Sequence, residues 1–116
     1  MNSYTYPGLE KKRPYGSGLT FTPKALRITE MVCNYFGYTA EIIQKHDRKR
    51  ELVTARQYIF FLLRKYTGQS LDSIGKFFGG RDHTTVKYNI DTLENLMENY
   101  PDMKRLLIVF ENKLAE

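Results

Sequence analysis

The chain has one cysteine, Cys33, two histidines and no tryptophan. A single cysteine excludes an internal disulfide and a cysteine-based zinc cluster. Its place between Val32 and Asn34, in an apolar helical stretch, reads as a buried, inert thiol. His46 and His83 lie far apart with no local ligand set around either, so no metal site is expected. Nothing approaches the roughly 18 consecutive apolar residues of a membrane helix, and no membrane partner is expected. Met1-Asn2-Ser3-Tyr4 leads into polar, glycine-rich sequence rather than a basic segment ahead of an apolar run. No signal peptide is therefore expected, and the bacterial cytoplasm or nucleoid is the expected compartment. A Gly-x-x-x-x-Gly-Lys-Ser/Thr phosphate loop is missing, and no nucleophile–base pairing stands out. The expectation is a protein that is not an enzyme and takes no cofactor.

What is present suits one domain. The 116 residues are 41% apolar and 14% aromatic, enough for a single buried core. The net charge of +5 is unevenly spread. Residues 1–90 hold a clear excess of Lys and Arg, whereas 91–116 hold an excess of Asp and Glu. A basic body with an acidic final segment suits one face turned toward a polyanion and another turned away.

Residues 1–21 differ from the rest. Tyr4, Tyr6 and Tyr15 are interleaved with Pro7, Gly8, Pro14, Gly16 and Gly18 around the basic run Lys11-Lys12-Arg13. Such punctuation predicts no helix, so this segment is either a disordered leader or a basic arm that adds phosphate or minor-groove contacts. From residue 22 to 116 the signals are helical, predicting an all-α, compact bundle of about six helices. Thr22-Pro23 opens the first, with Ile28, Val32 and Tyr35 or Phe36 at helical spacing until Gly37. Thr39 caps a short second helix, Ala40 to about Lys45, carrying Ile42 and Ile43. The polar run His46-Asp47-Arg48-Lys49-Arg50 reads as a loop. A long third helix, about Glu51 to Tyr66, places Leu52, Ala55, Ile59, Leu62, Leu63 and Tyr66 on one stripe. Gly68 ends it, and Ser70 caps a fourth with Leu71, Ile74 and Phe78 inward.

Gly79-Gly80 then forces a tight break, because glycine accepts the positive φ of a sharp turn. Asp82 is expected to cap a fifth helix by accepting first-turn N–H groups, with Val86, Ile90, Leu93 and Met97 inward. Pro101 starts a last helix with Met103, Leu106, Phe110 and Leu114 inward. The fourth and fifth helices, joined by a glycine turn, predict a helix-turn-helix. On its outer side the fifth helix then presents His83, Thr84, Lys87 and Asp91. Its short polar first turn can reach base edges in a major groove. Arg48-Lys49-Arg50, with Arg56, Gln57 and Lys87, form a second basic group. A flexible basic loop of that kind suits a minor groove beside the occupied major groove.

The string Ser-Leu-Asp-Ser-Ile-Gly-Lys-Phe-Phe-Gly-Gly-Arg-Asp-His-Thr-Thr-Val, from Ser70 to Val86, resembles the signature of the C-terminal DNA-binding domain (domain IV) of the bacterial chromosomal replication initiator DnaA. The resemblance runs back through Ala55-Arg56-Gln57 and covers about residues 24–115. It implies a helix-turn-helix that binds the DnaA box, a short asymmetric A·T-rich duplex site, as a monomer. By this resemblance Asp82, His83 and Thr84 make major-groove base contacts, Val86 offers apolar contact, and Arg48 matches a minor-groove arginine. Arg56, Gln57, Ser70 and Thr85 match phosphate-holding positions, Lys49, Arg50 and Lys87 join them as phosphate contacts, and Arg81, part of the signature, either contacts phosphate or braces the turn. Asp72 departs from a position that often holds proline, Lys87 from an often apolar one, and Asn89 from a commonly small one. The implied partner is double-stranded DNA, with full-length DnaA or other replication proteins as further partners. The expected role is sequence-specific regulation of replication initiation or transcription by a chain without the initiator's motor. The alternative is a helical module that mainly binds a protein of the replication machinery.

Overall fold

A computed structural model describes residues 22–116, which form six α-helices and no strand. Both expectations for residues 1–21 lie outside the described residues.

Local chemistry sets most of the helix ends. In α1 (Pro23–Phe36) the Thr22 hydroxyl accepts from the Ala25 N–H at 3.1 Å, and Gly37 closes the helix at φ 78°. In α2 (Ala40–Gln44) Thr39 accepts from the Ile42 N–H at 3.3 Å. In α4 (Leu71–Phe77) Ser70 accepts from the Ser73 N–H at 3.0 Å. Each cap satisfies a donor that the first helical turn leaves unpaired. The central α3 (Arg50–Thr67) has no side-chain cap of that kind. Instead Asp47 Oδ1 accepts from the Lys49 N–H at 2.9 Å, folding the chain into the helix. Its first residue is Arg50 rather than Glu51, so the loop retains only Arg48 and Lys49 of the basic triplet. The fifth and sixth helices, α5 (His83–Asn99) and α6 (Pro101–Leu114), are joined by Tyr100 alone.

α3 is the axis of the fold and packs most extensively against α1 and α5, while α6 closes against α5 and α1. Leu52, Ala55, Tyr58, Ile59, Phe60, Leu62 and Leu63 of α3 are buried together with Ile28, Val32, Ile43, Ile74, Val86, Leu93 and Phe110. Burying each large apolar side chain contributes about 1.5–3 kcal/mol. Two tyrosines fix how α6 sits on α3. Tyr58 donates to the Met103 carbonyl at 2.7 Å, and Tyr66 donates to Glu111 at 2.6 Å, where Lys65 also pairs at 2.8 Å. Tyr58 and Phe110 meet edge-to-face with centroids 5.4 Å apart, which suits their ring quadrupoles.

Some core assignments differ from the pattern read along the chain. Phe77 and Leu107 are buried although neither falls on the expected stripe, and Ile42 is exposed. Tyr35 is exposed while Phe36 is half-buried, which settles that pair in favour of Phe36. Cys33 is fully buried, and burial pushes its thiol up to about 12. No described helix is long and apolar enough to cross a membrane.

Candidate nucleic-acid interface

The turn between α4 and α5 is tight because two glycines adopt left-handed backbone, Gly79 at φ 81° and Gly80 at φ 74°. The chain then doubles back on α4, and the Arg81 N–H donates to the Gly75 carbonyl at 2.8 Å. A Cβ at Gly75 would stand 2.0 Å from the Arg81 carbonyl oxygen, so only glycine permits this approach. Helical periodicity alone does not single out Gly75; the signal along the chain is a glycine interrupting the short helix after Ile74.

α5 emerges from this turn with Asp82, His83, Thr84 and Thr85 all exposed. Asp82 occupies the N-cap position, but its side chain makes no capping hydrogen bond. The carboxylate instead accepts from the Thr84 hydroxyl and lies 3.2 Å from His83 Nδ1. The Thr84 hydrogen bond, followed by the His83 neighbourhood, holds the Asp82 carboxyl below the usual carboxylate range. Asp82 is thus an anionic acceptor at neutral pH, flanked by a hydroxyl and an imidazole, each able to donate or accept. One turn on, Lys87 is exposed and pairs with Asp91 at 2.8 Å, which raises its pKa. Val86 is fully buried beneath this surface, close to Gly75. It presents nothing for base contact, so the apolar contact expected from it is corrected to a core role.

Beside this helix lies the loop after α2, where Arg48 and Lys49 are exposed, followed by exposed Arg50 at the start of α3. Arg56 was expected to face outward and hold phosphate, but it is 5% exposed. Its guanidinium donates to three loop carbonyls: Nε to Ile43 at 2.7 Å, Nη1 to Asp47 at 2.8 Å and Nη2 to Lys45 at 2.6 Å. Burial lowers its pKa, with Asp47 acting in the opposite sense. Gln57 is likewise 5% exposed, and its buried Oε1 meets no donor among the described residues. Neither side chain lies on the surface where a phosphate contact requires it. The signal was in the chain, since Arg56 stands four residues after Leu52 and three before Ile59, on the buried stripe.

Arg81 resolves similarly. It donates from Nη1 to the Gln44 carbonyl at 3.3 Å and to the Phe78 carbonyl, and from Nη2 to Lys45 at 2.7 Å. Burial, then nearby Arg56, pushes it down to about 10, which still leaves it charged at neutral pH. These donors brace the turn against the end of α2. Two arginines from opposite sides therefore meet at the Lys45 carbonyl. Gln44 Nε2 donates a hydrogen bond to the Phe77 carbonyl at 3.0 Å, and His46 Nε2 lies 3.3 Å from the Gly79 carbonyl. The basic loop and the helix-turn-helix are tied together by hydrogen bonds to main-chain acceptors.

Ser70 is exposed at the start of α4, with its oxygen already accepting from the Ser73 N–H and its hydroxyl proton available. Thr85 is exposed at the start of α5. The structure brings Arg48, Lys49 and Arg50 to the surface of the unit that also carries Asp82, His83, Thr84, Thr85 and Lys87. Among the described residues no group of three His, Cys, Asp or Glu side chains is placed to hold a metal ion.

Residues 26–93 match the family described as bacterial dnaA protein helix-turn-helix. The chain is 44% identical over 87 residues to the chromosomal replication initiator protein DnaA of Gloeobacter violaceus, covering 75% of this chain and 20% of that protein. It is 42% identical over 82 residues to the same-named protein of Thermus thermophilus, covering 71% and 19%. With that of Flavobacterium psychrophilum it shares 36% identity over 88 residues, covering 76% and 18%. The chain spans about one fifth of the length of these curated relatives.

Proposed function

The chain belongs to the bacterial DnaA helix-turn-helix family, and from that premise we propose that it binds double-stranded DNA at a DnaA-box-like, A·T-rich site. The binding serves replication initiation or transcription, and these residues recognise DNA without hydrolysing ATP. The observation that carries this reading is the exposed Asp82-His83-Thr84 turn of α5 joined through the Lys45 carbonyl to a loop presenting Arg48.

In this reading α5 enters the major groove by its N-terminal end. The ionised Asp82 accepts from a cytosine or adenine amino group, while His83 and Thr84 donate or accept at neighbouring base edges. The helix's positive end favours the flanking phosphates. Arg48 reaches into the adjacent minor groove, which is narrow and strongly negative in A·T tracts. Lys49, Arg50, Ser70, Thr85 and Lys87 hold phosphates and fix the register. Lys87 must exchange its partner Asp91 for a phosphate, so its contribution is smaller than that of Lys49. The acidic residues Glu94 and Glu98 lie farther along α5, away from the duplex. The unit acts as a monomer on an asymmetric site in the bacterial cytoplasm or nucleoid, where full-length DnaA competes for or shares the same sites.

The direct test is selection of bound duplexes from a randomised library. The expected outcome is enrichment of one A·T-rich motif related to the DnaA box. Replacing His83 and Thr84 together by alanine should erase the base preferences contributed by α5. An unenriched library, or an unchanged motif from that double variant, would sink the proposal.

A further inference from the structure

Tyr88 is 69% exposed, more than any other large apolar side chain among the described residues. It stands four residues after Thr84, so both share one face of α5. Buried Val86 and Leu93 define the opposite face. The hydroxyl of Tyr88 meets no hydrogen-bond partner among the described residues, and its ring lies outside the core. The next exposed residues along α5 are Asp91, paired with Lys87 at 2.8 Å, then Glu94 and Asn95, and then Glu98 and Asn99. The surface therefore runs from small hydrogen-bonding groups, to one aromatic plate, to a stretch where Asp91, Glu94 and Glu98, set among Asn95 and Asn99, would repel phosphate. That order limits a groove-facing footprint to the first two turns of the helix, and Tyr88 is its second turn.

We propose that Tyr88 is a specificity-determining residue that lays its ring against a thymine methyl in the major groove. This rests on the reading of α5 as the DNA-reading helix. The methyl is the one apolar group that a base pair offers there, so an aromatic plate on the reading face selects thymine where a hydrogen-bonding side chain would select another base. Thr84 reads the hydrogen-bonding edge one turn earlier, and the two positions together extend the footprint along the groove.

The test uses the duplex that the wild-type chain prefers, with each thymine replaced singly by deoxyuridine, which removes only the methyl. Binding is measured for the wild-type chain, Tyr88→Phe and Tyr88→Ala. At one position the wild-type chain and Tyr88→Phe should each weaken roughly fourfold, the value of one buried methyl-sized group. Tyr88→Ala should bind the unmodified duplex more weakly and lose its sensitivity at that position alone. Because the ring is exposed, all three should melt at the same temperature. Wild-type affinity with an unchanged deoxyuridine profile in Tyr88→Ala would overturn the proposal, as would uniform weakening with that same profile, which places the ring on the backbone or on another partner. A His83→Ala control separates the two levels. If His83→Ala changes the preferred site while Tyr88→Ala is silent, Tyr88 alone is removed from the interface. If neither changes it, α5 is not the reading helix.

Discussion

Replacing Arg81 with methionine separates bracing from phosphate contact. Methionine keeps much of the apolar stem and removes all donors, so the carbonyls of Gln44, Lys45 and Phe78 lose their guanidinium. Hydrogen bonds to a charged donor contribute about 1.5–3 kcal/mol each, but these three share one group and are not additive. The Lys45 acceptor is open enough for water to replace the lost donor, and Arg56 still serves it at 2.6 Å. Burial and the neighbouring Arg56 also work against the charge, pushing Arg81 to about 10, which offsets part of its gain. The net loss should be about 2 kcal/mol, far below the sum of three bonds. For a domain of this size that lowers the melting temperature by roughly 8–16 °C. Calorimetry checks the stability, and titrations at several salt concentrations check the binding. A bracing residue leaves the slope of log affinity against log salt unchanged. A phosphate-contacting residue reduces it by about one when removed. An unaltered melting temperature with a slope reduced by one would refute the bracing role and restore the phosphate contact.

Gly75→Ala should cost at least about 2 kcal/mol by denaturant titration, because its Cβ would lie 2.0 Å from the Arg81 carbonyl oxygen and force the turn apart. Single replacements of His83 or Thr84 by alanine should each cost about 1–3 kcal/mol on the preferred duplex in a binding titration, with little change in melting temperature. Lys49→Ala should weaken binding to all sequences alike and lower the salt slope by about one unit. Cys33, with its thiol pushed up to about 12, should resist a thiol reagent at pH 8 until denaturant is added, whereas prompt labelling of the native protein would contradict its burial.

The parts of the fold legible along the chain are those written in local chemistry. Thr22, Thr39 and Ser70 cap helices because a hydroxyl at that position meets an N–H three residues on, whatever lies elsewhere. Gly37 and Gly68 end helices at positive φ for equally local reasons. Asp82 shows where such reasoning stops: its N-cap position was legible, but its carboxylate turns to the Thr84 hydroxyl instead of the backbone. Arg56 reads as a surface cation because charge is usually solvated, and Arg81 reads equally as a phosphate contact or a brace of the turn. What engages them is the C-terminal end of α2, whose carbonyls lack helical partners and lie between the two guanidinium groups only once α2 packs against α3 and α4. No spacing along the chain announces that a short helix's orphan acceptors will coincide with two distant arginines.

That arrangement also explains why a short helix and a loop with few apolar residues can act as one with the helix-turn-helix. α2 has five residues, below the length at which a helix persists by itself in water. Ile43 anchors it in the core, and arginines from α3 and the turn saturate the carbonyls at its end. Arg48 is thereby held three residues from a main-chain atom gripped twice, the Lys45 carbonyl, rather than on a free tether. A free loop would lose about 0.5–1.5 kcal/mol for each long side chain ordered on binding, in addition to its backbone freedom. On the proposed reading, fixing the base of the loop in the free protein removes part of that cost and leaves the tip able to follow a groove. On the proposed reading, buried Arg56 and half-buried Arg81 therefore serve recognition by setting the distance between the loop and α5.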